Sequence, residues 1–253
     1  MLDKVGRYDF LAEPFHCDFS QRLFMGHLGN HMLNAADFHS NDRGFGVKYL
    51  LKVNRAWVLS RLAIEMEEMP PMYTRFKVET WIENAMRFFT SRNFRVVGED
   101  GKVYGYGRSI WAMIDVESRQ PADLFSIDNG SIKNWIVTDK ECPIDKGGRV
   151  KMNDDAVLVR TIETYYNDVD INGHINSIKY IEHVLDLWDL DWYQKHSIHR
   201  FEIAYVAEAH QGDQLSFFRE NTDSPLEYCV RIMKNSPDGA DPIEVCRSRV
   251  IFR

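Results

Sequence analysis

Phe94-Arg-Val-Val-Gly-Glu-Asp-Gly101, followed by Val103-Tyr-Gly-Tyr-Gly-Arg-Ser-Ile-Trp-Ala-Met-Ile114, reads as a strand, a tight turn and a second strand. Asp-Gly between two apolar runs is a strong hairpin signal, because glycine adopts the positive φ that such a turn needs. The pattern returns near the C-terminus. Val230-Arg-Ile-Met-Lys-Asn-Ser-Pro-Asp-Gly239 leads into Ile243-Glu-Val-Cys-Arg-Ser-Arg-Val-Ile-Phe252, again with Arg-Ser in the second strand. A repeat at this spacing predicts two units built alike.

Working outward, each hairpin is preceded by another strand, Phe76–Ile82 in the first half and Gln214–Arg219 in the second. Further upstream lie strands over Asn54–Glu65 and Arg200–Glu208, and before each of these a helix. Met25, Leu28, Met32 and Ala35 recur at three and four residues, as do Ile178, Ile181, Val184, Leu185 and Trp188, which gives each helix one apolar stripe. In the second half Phe201, Ile203, Tyr205 and Ala207 alternate with Glu202, Ala204, Val206 and Glu208. One helix followed by several antiparallel strands, twice over, is an α+β architecture of two tandem hot-dog domains, each a helix wrapped by a curved sheet. The expected division is residues 1–130, a linker at 131–150 carrying Pro143, Gly147 and Gly148, and residues 151–253. One continuous sheet across both halves is the alternative that periodicity leaves open; the repeat favours two units.

Between the halves' strands and helices, one stretch carries chemistry. In Asp168-Val-Asp-Ile-Asn-Gly-His-Ile-Asn176 a polar side chain occupies every second position. In an extended chain that alternation sends Asp168, Asp170, Asn172, His174 and Asn176 to one side, with Gly173 free to bend. Asn176 or Ser177 is placed to cap the following helix, whose positive end suits a developing oxyanion. Asn176 is also a candidate substrate contact. The bland reading, a polar loop of turns and caps, suits a lone Asn or Asp better than five alternating residues that include a histidine.

Composition narrows the field. The 253 residues are 44% hydrophobic and 27% charged, enough for a real core, and the formal charge of −7 argues against a general nucleic-acid binder. Charged residues at Asp3, Lys4, Arg7 and Asp9 break any apolar signal-peptide core, and Ile110–Ile114 is far too short to span a bilayer. A soluble, cytoplasmic protein without an integral membrane segment is expected. Cys17, Cys142, Cys229 and Cys246 are scattered and predict reduced thiols. His27 and His31 have metal-compatible spacing, but no carboxylate or cysteine matches them, and His196 and His199 lie in a polar connection. No metal or other cofactor is expected, and there is no phosphate loop or GxSxG elbow.

The run Asp170-Ile-Asn-Gly-His-Ile-Asn176 with Ile178-Lys-Tyr-Ile181 resembles the active-site motif of the acyl-acyl-carrier-protein thioesterase family of plant plastids and bacteria. Gly44-Phe-Gly46, Trp57-Val-Leu-Ser-Arg61, Glu79-Thr-Trp81, Arg108-Ser-Ile-Trp111 and Tyr205-Val-Ala-Glu208 are similar to other landmarks of that family, from about Phe19 to Arg253. The resemblance implies hydrolysis of fatty acyl thioesters on acyl carrier protein (ACP). It implies Asp170, Asn172, His174 and Glu208 as the catalytic residues. Where plant members carry a cysteine after the glutamate, this chain has Ala209, so no thiolate can form there. The first domain, whose Asn34 and His39 do not repeat the cluster, would shape the acyl tunnel, with Trp57 as a wall residue or simply as core.

The leaving group of a thioester is a thiol of pKa about 8.5, which departs as the thiolate with little acid assistance, so the requirements are a nucleophile and stabilisation of the carbonyl oxygen. Glu208 suits water activation, and Asn172 with His174 carbonyl polarisation. Asp170 would orient His174 or attack directly. Lys48, Lys52, Arg55 and Arg61 are candidate docking residues for the acidic carrier. The competing expectations are an acyl-CoA thioesterase, a hot-dog hydratase or dehydratase, and a non-catalytic acyl binder. A homodimer is left open.

Overall fold

Each copy of the hairpin pattern lies in a unit of its own. The computed structural model of the chain describes residues 2–153, 155–235 and 241–253, and the chain divides into Met1–Lys146 and Gly147–Arg253.

In the first unit β1 (Gly6–Leu11), β2 (Arg55–Met66), β3 (Arg75–Ala85), β4 (Phe89–Gly98) and β5 (Val103–Asp115) pair antiparallel in the order β1-β3-β4-β5-β2. The β4–β5 turn forms as the Asp-Gly signal predicts. Gly101 has φ +84°, Gly98 N donates to Lys102 O at 2.8 Å, and Asp100 Oδ1 accepts from Lys102 N at 2.9 Å. Helix α1 (Met25–Asp42) buries Leu28, Met32 and Ala35, the residues of its three-four stripe. Each large apolar side chain so buried contributes about 1.5–3 kcal/mol. Helix α2 (Val47–Leu50) follows and adds Leu50 to the core.

The second unit repeats the plan. β6 (Val157–Glu163), β7 (Ile198–Tyr205), β8 (Gln214–Asn221), β9 (Glu227–Asn235) and β10 (Ile243–Phe252) are ordered β7-β10-β9-β8-β6, and each pair is antiparallel. Helix α3 (Ser177–Leu185) buries Ile178, Ile181 and Val184, and α4 (Leu190–Tyr193) is a single turn. Matching strands occupy matching places in the two units, the arrangement expected of two tandem hot-dog domains. The Asp238-Gly239 turn between β9 and β10 lies outside the described residues.

Several expectations need correction. Strands β1 and β6 escape sequence reading. β6 is largely exposed, and Val157, Leu158 and Val159 in succession give no alternation. The segment expected as a linker at 131–150 is, over much of its length, part of the first unit's packing. Ile132 joins the Phe45–Met113 cluster, Val137, Cys142 and Ile144 pack with Trp81, and Arg108 donates to the carbonyls of Cys142 and Ile144. On β7 Glu202 is 4% exposed and is held by Arg200 and Arg249. Trp188 lies beyond the end of α3 and packs on Tyr228 and Phe252 instead.

Candidate active site

The chain leaves β6 through a 3₁₀ turn, Tyr166–Asp168, and then doubles back on itself before α3. Val169 and Ile175 form an isolated antiparallel bridge. Within it, Asp170 N donates to His174 O at 2.8 Å and Gly173 N to Asp170 O at 3.1 Å. Asp170 Oδ1 accepts from the backbone N–H of Asn172 at 2.8 Å and of His174 at 3.3 Å. Gly173 has φ +81°, a conformation open to glycine at no steric cost. These local bonds compete with extension and win.

The loop is therefore a tight turn, and the expected display of five polar side chains on one side is not what forms. Asp168 is buried, with its carboxylate accepting from His183 Nε2 at 3.0 Å and from Tyr165 N at 2.8 Å. Asp170 folds onto the loop's own amides. Asn176 caps α3, its carboxamide oxygen accepting from Ile178 N at 2.9 Å. Only Asn172 and His174 are left with side chains uncommitted to the loop's backbone, and Asn172 is exposed.

Glu208 reaches the turn from just beyond β7, not from within a strand as expected. After Tyr205 the strand breaks, with Val206 N and Ala207 N both donating to Val245 O at 2.8 and 3.2 Å. Ile175 N then donates to Ala209 O at 2.8 Å, which ties the two segments together. The result brings Glu208 Oε2 to 3.4 Å from His174 Nε2, with side chains 35% and 24% exposed. Lys234 Nζ, on β9, donates to Glu208 O at 2.7 Å and lies 3.8 Å from Asp213. The ring of His210 meets that of His174 edge-on at 5.0 Å. Its backbone is fixed by N–H donation to Asp213 and by Thr164, whose hydroxyl donates to His210 O. Sequence reading missed Lys234 and His210; a lysine on a distant strand carries no local signal, although His210 lies only two residues from Glu208.

Other nucleophiles in this unit are held in their protonated forms. Burial pushes the Cys229 thiol up to about 11, and burial also raises Cys246. Burial likewise raises the phenols of Tyr180 and Tyr205, the latter donating to Ser177 O at 2.8 Å. Ala209, where a thiol would follow the glutamate, is fully buried. The carboxylates and the imidazoles of His174 and His210 are left as groups able to take a proton from water near neutrality. Among the described residues, no group of three His, Cys, Asp or Glu is arranged to hold a metal ion. His27 stacks on His16 at 4.1 Å, and His31 packs against Phe10 and Phe76. In the first unit Trp57 Nε1 donates to Phe45 O at 2.9 Å, and its ring borders a small apolar cavity with Leu50, Met113 and Leu124. Among the described residues no helix is long and apolar enough to cross a membrane.

Comparison with known proteins covers both units. Residues 5–126 match the model of the acyl-ACP thioesterase N-terminal domain, and residues 152–246 that of the C-terminal domain. The chain is 52% identical to an acyl-ACP thioesterase of Bacteroides thetaiotaomicron whose crystal structure covers 99% of this chain and is itself covered to 98%, with a TM-score of 0.90. The 12:0-ACP thioesterase from Umbellularia californica superposes with a TM-score of 0.85 over 100% of this chain and 98% of its own, at 20% identity, a likeness of fold. The chloroplastic palmitoyl-acyl carrier protein thioesterase of Gossypium hirsutum is 24% identical over 97% of this chain and 63% of its own length. This chain spans about half to two thirds of the length of such curated plant relatives. With both domain models matched in order and half the residues shared with the Bacteroides protein, the chain belongs to the acyl-ACP thioesterase family.

Proposed function

We propose that this chain hydrolyses fatty acyl-ACP thioesters to the free fatty acid and ACP. The observation that carries the reading is the 3.4 Å approach of Glu208 to His174 beside the exposed Asn172, in a family of thioester hydrolases. Glu208 takes a proton from water as the water oxygen attacks the carbonyl carbon. Asn172 and His174 donate to the carbonyl oxygen as it gains charge. The tetrahedral intermediate then collapses, the C–S bond breaks, and the pantetheine thiolate leaves and picks up the proton. Lys234 fixes the backbone at Glu208, and Asp170 orients His174 or attacks directly. The acyl chain is assigned to the first unit, with Trp57 as a wall residue, and Lys48, Lys52, Arg55 and Arg61 to carrier docking.

Thiol release from acyl-ACP and acyl-CoA of matched chain length tests this. Faster release from ACP is expected, and Glu208→Gln should lower kcat about 10²–10⁴-fold. Preference for CoA would turn the reading to an acyl-CoA thioesterase. Altered acyl product without released thiol would indicate a hydratase or dehydratase, and wild-type rates in Glu208→Gln would remove the mechanism. Trp57→Ala should shift the preferred chain length.

A further inference from the structure

The turn before α3 has a double in the first unit, just before α1. Cys17 and Leu23 form the same isolated antiparallel bridge as Val169 and Ile175. Asp18 N donates to Arg22 O at 2.8 Å and Gln21 N to Asp18 O at 2.9 Å, as Asp170 and Gly173 do. Phe24 N donates to His16 O at 2.9 Å where Asn176 N donates to Asp168 O at 2.7 Å. Gln21 has φ +60° at the place of Gly173 with +81°. Leu23 N donates to Pro70 O at 3.0 Å, as Ile175 N donates to Ala209 O at 2.8 Å. A 3₁₀ turn, Pro14–His16, precedes the first loop as Tyr166–Asp168 precedes the second.

The aspartates do the same work. Asp18 Oδ1 accepts from the backbone N–H of Ser20 at 2.8 Å and of Arg22 at 3.4 Å. Asp170 Oδ1 accepts from Asn172 and His174 at 2.8 and 3.3 Å. What differs is everything able to act on a carbonyl. Ser20 stands for Asn172, Arg22 for His174, and Met69, the residue before the tying carbonyl, for Glu208. Arg22 is itself spent on Glu68 and on the Met69 carbonyl. The first loop thus has the aspartate without an amide, imidazole or carboxylate at the matching places. A carboxylate required only as nucleophile or base has no reason to make these two amide bonds in a loop without the other groups.

We propose that Asp170 is a positioning residue, whose carboxylate folds the 169–175 turn and aims His174 at Glu208, and that it is neither the nucleophile nor the general base. This rests on the hydrolase reading and removes one of its two carboxylate roles. Since Asp170 acts as an acceptor of two N–H groups, an asparagine oxygen can replace it, whereas alanine cannot.

The test compares Asp170→Asn, Asp170→Ala, Glu208→Gln, Asp18→Asn and Asp18→Ala in the full chain. Asp170→Asn should lower kcat/KM by less than about tenfold and keep the acid limb of the pH profile, while Glu208→Gln loses about 10²–10⁴-fold. Asp170→Ala should fall well below Asp170→Asn in activity. Both alanine variants should lower Tm by about 2–4 °C, both asparagine variants by less, and Asp18→Ala should leave kcat unchanged. Asp170→Asn as inactive as Glu208→Gln at an unchanged Tm, or with the acid limb abolished, would overturn the proposal. So would oxygen-18 from labelled water appearing in the Asp170 carboxylate after a single turnover. If the wild type releases thiol from neither carrier, the hydrolase reading fails instead; the paired melting of the Asp18 and Asp170 variants still decides what the aspartate does.

Discussion

Asn172 shows how one residue can be exposed and still be placed. Asp170 grips its backbone N–H at 2.8 Å, so the carboxamide is held at the loop's tip without being used by the loop. Removing that carboxamide takes nothing from the core. Asn172→Ala is expected to change unfolding free energy by less than about 0.5 kcal/mol and to lower kcat by about 10²–10³, the usual cost of an oxyanion donor. Steady-state kinetics beside a denaturant melt separates the two. His174 and Glu208 are singled out in the sequence separately, one by the motif and the other by the Tyr205-Val-Ala-Glu208 landmark. Their contact was not legible there, because it depends on the break after Tyr205 and the bond from Ile175 N to Ala209 O. Neither leaves a mark on local composition. The loop at residues 17–23 was invisible for the opposite reason: its geometry repeats the other loop, yet Asp18 is the polar side chain they share.

At the scale of elements, apolar periodicity found both long helices and most strands, since a buried stripe must repeat with the backbone's own period. It failed where burial is slight, at β6, and where side chains bond their own backbone, at 168–176, and it passed over the short alternation Arg7-Tyr8-Asp9-Phe10 of β1. The join between that turn and α3 is made by Asp168. Its carboxylate binds Tyr165 N and His183, and its carbonyl takes the N–H of Asn176. In the first unit the matching place is held by His16, which lies 2.8 Å from Glu13 and stacks on His27. Truncating one partner of a buried pair leaves the other desolvated and unmatched, at about 3–5 kcal/mol for a fully buried pair. Asp168 retains slight exposure, so Asp168→Ala is expected to cost about 2–3 kcal/mol in a urea melt. A cost under about 1 kcal/mol would mean that the turn is held by its backbone bonds alone.

Across the whole molecule, the duplicated plan was the most legible feature, because each copy must bury its own helix against its own five strands. Less legible was a set of polar groups inside the first unit. His39 is fully buried, with Nε2 2.9 Å from Lys4 O. Burial, together with the nearby Arg92 and Arg43, pushes its pKa down to about 2, and burial pushes His31 down to about 4. In the unfolded chain both take up protons near pH 6.5. Between 6.5 and the depressed values the unfolded state therefore binds more protons than the native one. Stability is full above about pH 6.5 and is lost as pH falls, with His31 acting down to about 4 and His39 further. Each fully buried imidazole contributes a slope of at most about 1.4 kcal/mol per pH unit below 6.5, and His31, partly exposed, less. Urea melts at pH 7.5, 6 and 5 should show unfolding free energy falling with pH. His39→Gln, which keeps a donor for Lys4 O but cannot titrate, should lower stability at pH 7.5 and flatten that fall by about 1 kcal/mol per unit. An unchanged slope in the variant would show that His39 is not the group taking up the proton.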